Sequence, residues 1–180
     1  METERLRLCL PRAGDGAAVF AAVTESLAEL RRFLASLPWV AAEQSVEASE
    51  IWCRTAQANF AGRKDFPFLL FEKASGQIVG AVGLHRVEWT TPKAEVGYWC
   101  RTSRAGNGFV GEAVAALADY AFARFGAVRL EIVTDEENGA SRRVAERAGF
   151  ALEGVLSRER RAPNGSLRNT CIYARFAPAA

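Results

Sequence analysis

The stretch Glu95-Val-Gly-Tyr-Trp-Cys100 leads into Arg104-Ala-Gly-Asn-Gly-Phe-Val-Gly111, and from about Glu112 to Phe125 apolar residues recur with a helical period. The first part reads as a strand. The second sets Gly106, Gly108 and Gly111 within six residues, and Val110, Val114, Leu117 and Ala121 then fall at i, i+4, i+7 and i+11 on one helix face. That stripe is core. A purely structural turn needs one glycine, whereas three let the backbone approach a ligand closely. The N–H groups that open a helix have no partner inside it, and the helix dipole favours negative charge there. Strand, turn and helix therefore predict a pyrophosphate cradle made by Arg104, Ala105, Gly106, Asn107, Gly108, Phe109, Val110 and Gly111. Backbone amides do most of the binding, with the Arg104 guanidinium in reach of a phosphate.

Glycine-rich turns before helices also serve triphosphates and dinucleotides. No Gly-Lys-Ser/Thr follows the turn, which argues against a triphosphate loop. Gly106 to Gly111 does spell Gly-x-Gly-x-x-Gly, and Glu131 stands at the distance where a dinucleotide site carries its acidic residue, so the motif alone leaves that reading open. Its context speaks against it: several strands precede the turn, and too little chain follows for the usual run of parallel strands.

Outward from this centre the pattern continues in order. Leu6, Leu8 and Leu10 alternate with polar neighbours as a half-buried first strand, and Gly14-Asp15 opens a helix bearing Val19, Phe20 and Val23. A second helix is expected from Ser26 to Leu37, stopped by Pro38, and a third, with Trp52, from about Val46 to Phe60. Phe66 to Glu72 and Ile78 to Val87 are apolar runs separated by Ala74-Ser-Gly76, a hairpin pattern. Beyond the cradle helix come a short strand from Arg129 to Val133, a helix from Ala140 to Ala148 stopped by Gly149, and strands near Val155 to Arg161 and Arg168 to Phe176 around Pro163-Asn-Gly165. Ala177 to Ala180 should fray. Antiparallel strands first and β-α-β-α-β-β afterwards give an α+β sheet with helices on both faces.

With 180 residues, 49% hydrophobic and 24% charged, the chain has the make-up of one compact domain. A net charge of +2 argues against a dedicated nucleic-acid binder. No apolar run is long enough to span a membrane and no leader is evident, so a cytoplasmic location and no membrane partner are expected. Cys9, Cys53, Cys100 and Cys171 are scattered and His85 is the one histidine, a pattern without the clustered ligands of a metal site. Reduced, mostly buried thiols are the expectation. His85, Trp39, Trp52, Trp89, Tyr98 and Trp99 either line an acceptor groove or pack in the core, with packing the simpler role for His85.

Three further runs fit one pattern: Asn138-Gly-Ala-Ser141-Arg-Arg-Val-Ala-Glu-Arg-Ala-Gly-Phe150, the opening Thr3-Glu-Arg-Leu-Arg-Leu8, and the closing Leu152-Glu-Gly154 with Tyr173-Ala-Arg175. Together with the strand and cradle they resemble the GCN5-related N-acetyltransferase (GNAT) superfamily over nearly the whole chain. The likeness is closest to the RimJ/RimL-type branch that acetylates N-termini of ribosomal proteins. It implies a twisted, mostly antiparallel mixed sheet of about seven strands with helices on both faces, and acetyl-CoA as co-substrate without a metal. In that family the strand before the cradle splays from its neighbour, so that pantetheine bonds its free edge, here Gly97 to Arg101 and so Trp99, Cys100 and Arg101. Ser141 matches the serine placed to protonate the leaving sulfur, and Asn138 the residue that bonds the pantetheine amide; without the family, the same run is a turn and helix N-cap. The cradle departs from the usual Arg/Gln-x-x-Gly-x-Gly/Ala, with Ala105, Gly108 and Val110 at the first, fourth and sixth positions.

Acyl transfer to an amine needs a donor for the thioester carbonyl, a base for the amine and an acid for the thiolate. Glu95, at the start of the strand that would carry the acetyl group, is the expected base, with Glu88 and Glu159 as alternatives; a Glu95 paired with an arginine would be merely structural. The family places a glutamate on the penultimate strand, where this chain offers Arg160 or its neighbour Glu159. The expected activity is direct acetyl transfer to a primary amine, foremost a protein or peptide N-terminus. The alternatives are a small amine such as a polyamine or antibiotic, a non-catalytic acyl-CoA-binding module and, more remotely, an oxidoreductase. A homodimer is an expected assembly.

Overall fold

A computed structural model describes residues 1–178. The elements are β1 (Leu6–Cys9), α1 (Gly16–Leu34), α2 (Pro38–Ala41), α3 (Val46–Ala61), β2 (Phe66–Glu72), β3 (Ile78–Glu88), β4 (Lys93–Cys100), a 3-10 turn (Thr102–Arg104), α4 (Phe109–Phe125), β5 (Arg129–Asp135), α5 (Gly139–Arg147), β6 (Ala151–Arg161) and β7 (Leu167–Phe176). Seven strands form one sheet in the order β1-β2-β3-β4-β5-β7-β6. Every neighbouring pair is antiparallel except β4 and β5.

Alternation along the strands divides the interior in two. Phe68 and Leu70 of β2, Val82 and Leu84 of β3 and Val96 of β4 join the cradle-helix stripe of Val110, Val114, Leu117 and Ala121 on one face. Leu69, Ile78 and Ala81 point the other way, against Val19, Ala22 and Val23 of α1 and Cys53 of α3. Fully burying a side chain such as Leu117 contributes roughly 1.5–3 kcal/mol. The α+β class and helices on both faces are as the sequence predicts.

Several boundaries differ from expectation. The helices drawn from Gly14 and from Ser26 are a single α1, because Ser26 is buried and its hydroxyl donates to the Ala22 carbonyl at 2.8 Å, bonding back into the helix instead of capping a new one. Pro38 starts α2 rather than merely stopping its predecessor, a position where a missing N–H costs nothing. β6 begins at Ala151, four residues before the predicted start at Val155; most of its side chains are exposed, so it lacks the alternation that marks a half-buried strand. Ala179 and Ala180, at the expected frayed end, lie outside the described residues.

Candidate functional site

β4 and β5 pair only at Lys93–Arg129, Ala94–Leu130 and Glu95–Glu131. Past Glu95 they part, while β4 stays paired with β3 as far as Cys100–Gly80, and β5 with β7 as far as Asp135–Thr170. The Arg101 N–H donates to the Val79 carbonyl at 2.9 Å. An antiparallel ladder alternates bonded and non-bonded pairs, so Gly97 and Trp99 also spend their backbone groups on β3, and Val96, Tyr98 and Cys100 turn theirs to the open side. Of the edge residues expected from sequence, Cys100 has its amide on that side; Trp99 packs toward α1 and Arg101 is tied to β3.

The cradle follows. Gly106 and Gly108 have φ of +81° and +78°, the left-handed region that a side chain disfavours, so these two glycines are required by the backbone. Gly111 is not: its φ is ordinary, and a Cβ there would meet nothing within 4 Å. The first helical bond of α4 comes from the Glu112 N–H to the Gly108 carbonyl at 3.1 Å, and no side chain caps this helix. The Phe109, Val110 and Gly111 amides therefore face outward without a helical partner. By contrast, Ser45 caps α3 and Asn138 caps α5.

The turn is braced on both flanks. Glu25 of α1 accepts from the Ser103 N–H at 2.9 Å and from Arg101 at 2.6 Å, and these bonds from Ser103 and Arg101 hold its carboxyl down to about 2. The Thr102 N–H donates to Ser26 at 3.0 Å, which gives the buried hydroxyl of α1 a second bond. Across the turn, Arg5 donates to the Asn107 carbonyl at 2.9 Å and pairs with Glu112 at 2.7 Å. Arg104, expected at a phosphate, is held by Gln77 at 2.7 Å and Glu72 at 3.4 Å, at the β2–β3 turn. Ala105 contributes backbone alone, its carbonyl accepting from the Asn107 amide at 3.3 Å.

Opposite β4, α5 presents Ser141. Its Oγ lies 2.9 Å from the Tyr98 hydroxyl, which also reaches the Ser141 carbonyl at 3.0 Å. Burial pushes the Tyr98 phenol up to about 12, so it stays a neutral donor. Tyr98 thus spans from the open strand to the helix after β5, on the α4 side. An alternating strand signals only that Tyr98 shares a face with Val96, and its link to Ser141 depends on tertiary placement. Asn138 accepts from the Ser141 N–H at 3.1 Å as helix cap, while its Nδ2 has no protein partner among the described residues.

The carboxylates considered as bases are all engaged: Glu95 by Arg86, Glu88 by Lys93 at 3.2 Å, and Glu159 by the Thr170 hydroxyl. Burial also pushes the Cys100 thiol up to about 11, which makes it a poor nucleophile. All four cysteines are free thiols. Among the described residues no cluster of three potential ligands could hold a metal, and no helix is long and apolar enough to cross a membrane.

The family model of the acetyltransferase (GNAT) domain matches residues 5–151. The chain belongs to the GNAT acetyltransferases. This GNAT enzyme is 30% identical over 145 residues to the ribosomal-protein-serine acetyltransferase of Escherichia coli (strain K12), covering 78% of this chain and 77% of that protein. It is 26% identical over 178 residues to Uncharacterized N-acetyltransferase YoaA of Bacillus subtilis (strain 168), covering 99% and 97%. Among solved structures, RimL, the ribosomal L7/L12 alpha-N-protein acetyltransferase in complex with coenzyme A, matches with a TM-score of 0.88 at 24% identity over 99% of this chain and 97% of that one. The microcin C7 self immunity acetyltransferase MccE, in complex with acetyl-CoA and AMP, matches at 0.87 and 21% over 97% and 93%. These two likenesses show the fold.

The residues of this GNAT site fit an acyl-CoA: outward amides at the start of α4 suit a pyrophosphate, and unpaired β4 backbone suits an amide-bearing arm. Bound there, acetyl-CoA supplies an activated acetyl group. What the protein offers there is a row of unpaired amides on β4 and, facing it, a hydroxyl pair, Tyr98 with Ser141, groups of the kind that can polarise a carbonyl and donate a proton.

Proposed function

We propose that the enzyme acetylates protein or peptide N-terminal α-amines, with acetyl-CoA held along β4 and α4. The observation that carries the acceptor is the 30% identity to a ribosomal-protein-serine acetyltransferase over about four-fifths of both chains. Chemistry favours the same choice, since an α-amine has a pKa of about 8 against about 10.4 for lysine and loses its proton more easily. At the end of the sheet beyond the open edge, a shallow depression is lined by Arg32, Phe33, Glu137, Pro163, Asn164 and Arg168. Both of its guanidiniums are paired, Arg32 with Glu29 at 3.0 Å and Arg168 with Asp135 and Glu137 at 3.3 Å, so the choice of acceptor rests on the relative and on the amine chemistry.

Mass spectrometry of a mixed panel tests this. Peptides with free N-termini are expected to be acetylated faster than N-blocked lysine peptides, polyamines or aminoglycosides. Acetylation of the polyamines or antibiotics alone would overturn the acceptor.

Within this reading Ser141 protonates the thiolate and Tyr98 holds the hydroxyl in place, while Asn138 Nδ2 bonds the pantetheine arm. Ser141→Ala is expected to lower kcat about 100-fold, at the lower end of what one positioned acid contributes. Acetyl-CoA affinity by calorimetry should change little. An equal loss in binding and turnover would make Ser141 a cofactor contact only.

A further inference from the structure

His85 stands on β3 opposite Glu95, on the sheet face that carries α1 and α3. Its ring is turned along the sheet over Gly83 and Gly97, which are themselves directly opposite. A Cβ on Gly97 would come within 2.8 Å of the ring and 3.1 Å of Nε2, and one on Gly83 within 3.0 Å of Nε2. Two facing glycines thus form a slot that this imidazole occupies. Its other nitrogen, Nδ1, lies 3.4 Å from the Asp65 carboxylate, and the side chain remains 45% exposed. Histidine used only for packing would be enclosed; this one is half open, and backed by a carboxylate on the side away from Nε2.

The nearby carboxylate favours the tautomer with its proton on Nδ1, facing Asp65, which leaves Nε2 as a proton acceptor. Gly97 lies just past the point where β4 and β5 separate, between the two residues, Val96 and Tyr98, whose amides face the open side. Nε2 is therefore poised beside the first free stretch of β4. The charged groups around the ring are Asp65, from the loop before β2 and itself near the Asn59 amide at 3.5 Å, and the Arg86–Glu95 pair on β3 and β4. Glu95 is already paired with Arg86, whereas Nε2 has no hydrogen-bond partner among the described residues.

We propose that His85, held by Asp65, is the catalytic base that deprotonates the acceptor amine, an assignment that rests on acetyl transfer to an amine. The ammonium gives one proton to Nε2, and the freed nitrogen lone pair forms the C–N bond at the thioester carbonyl. As the C–S bond breaks, the sulfur leaves with the bonding pair and takes the Ser141 proton. The nitrogen's second proton restores Ser141 through solvent, and the imidazolium returns its own to solvent. The balance is ammonium plus thioester giving amide, thiol and one proton. Asp65 is a positioning residue.

The experiment compares wild type, His85→Ala, His85→Gln, Asp65→Asn and Glu95→Gln by thiol release from acetyl-CoA across pH, with acetyl-CoA affinity measured by calorimetry. His85→Ala and His85→Gln should lower kcat about 100-fold or more and abolish the loss of activity on the acid side of the profile. Acetyl-CoA affinity should stay near that of wild type. Added imidazole should restore part of the activity of His85→Ala, whose side-chain space is half open to solvent. Asp65→Asn should lower kcat less and displace the acid limb. A wild type active on amines together with an unchanged acid limb in both His85 variants overturns the assignment, as does loss of that limb in Glu95→Gln alone. A wild type that releases thiol with no amine overturns the amine-transfer reading and this assignment together. Should His85→Ala fail to fold, His85→Gln and Asp65→Asn carry the same outcomes.

Discussion

Gly108→Asp is expected to abolish acetyl-CoA binding while leaving a folded protein. Gly108 caps α4 at φ +78°, and its carbonyl accepts the first helical bond. Aspartate tolerates the left-handed region better than most residues, at a cost of about 1–2 kcal/mol, so the fold should survive with a modestly lower Tm. A Cβ there meets only the Arg5 guanidinium at 3.5 Å, an ordinary contact. The carboxylate, however, places a negative charge and a competing acceptor before the amides of Phe109, Val110 and Gly111. Losing those bonds and adding repulsion should weaken binding more than 100-fold, or about 3 kcal/mol. Calorimetry on the folded variant decides it. Unchanged affinity would remove the pyrophosphate from this turn, and tight NADH binding by the parent would restore the dinucleotide reading.

Gly80→Ala should do as much damage by a different route. A Cβ on Gly80 would overlap the Trp99 carbonyl and lie 3.2 Å from the Cys100 Cα, so the obstruction is backbone and has little room to give. β3 and β4 would have to part at the end of their ladder, where β4 offers its open edge. Overpacking of this kind costs about 3 kcal/mol, which for a chain of this size lowers Tm by about 6–12 °C. Thermal unfolding checks the first part, and acetyl-CoA affinity, expected to fall as the edge is displaced, the second. Gly111→Ala is the comparison: with open space and ordinary φ, it should leave Tm nearly unchanged.

Reading the sequence worked best where local rules were strong. The helical stripe from Val110 to Ala121, the hairpin across Ala74-Ser-Gly76 and the required glycines at 106 and 108 each follow from short-range pattern, and each is present. Gly111 shows the limit of that logic, because composition cannot tell a glycine needed for φ from one facing open space. The pairing of Arg104 with Gln77 and Glu72, of Glu95 with Arg86 and of Tyr98 with Ser141 joins residues whose meeting depends on packing, and no spacing rule reports it. Which amides face the opening was likewise hidden, since it depends on the phase of the β3–β4 ladder. The slot beneath His85 was hidden for a related reason: it is made by Gly83 and Gly97, which become neighbours only through register.

The three-residue contact between β4 and β5 also divides the sheet's own hydrogen bonding. Strands β1 to β4 form one antiparallel unit and β5, β7 and β6 another, and within the sheet only those three pairs join them. The core beneath α4 joins both units, but amide hydrogens along the unpaired part of the seam should exchange with solvent sooner than those inside either ladder. A molecule lying in the gap and bonded to both sides restores the missing rungs, and its binding free energy adds to the resistance against unfolding. The gap in the sheet's own bonding is thus the line that a bound acetyl-CoA would close, so a protease would meet a sturdier protein when substrate is plentiful than when it is scarce.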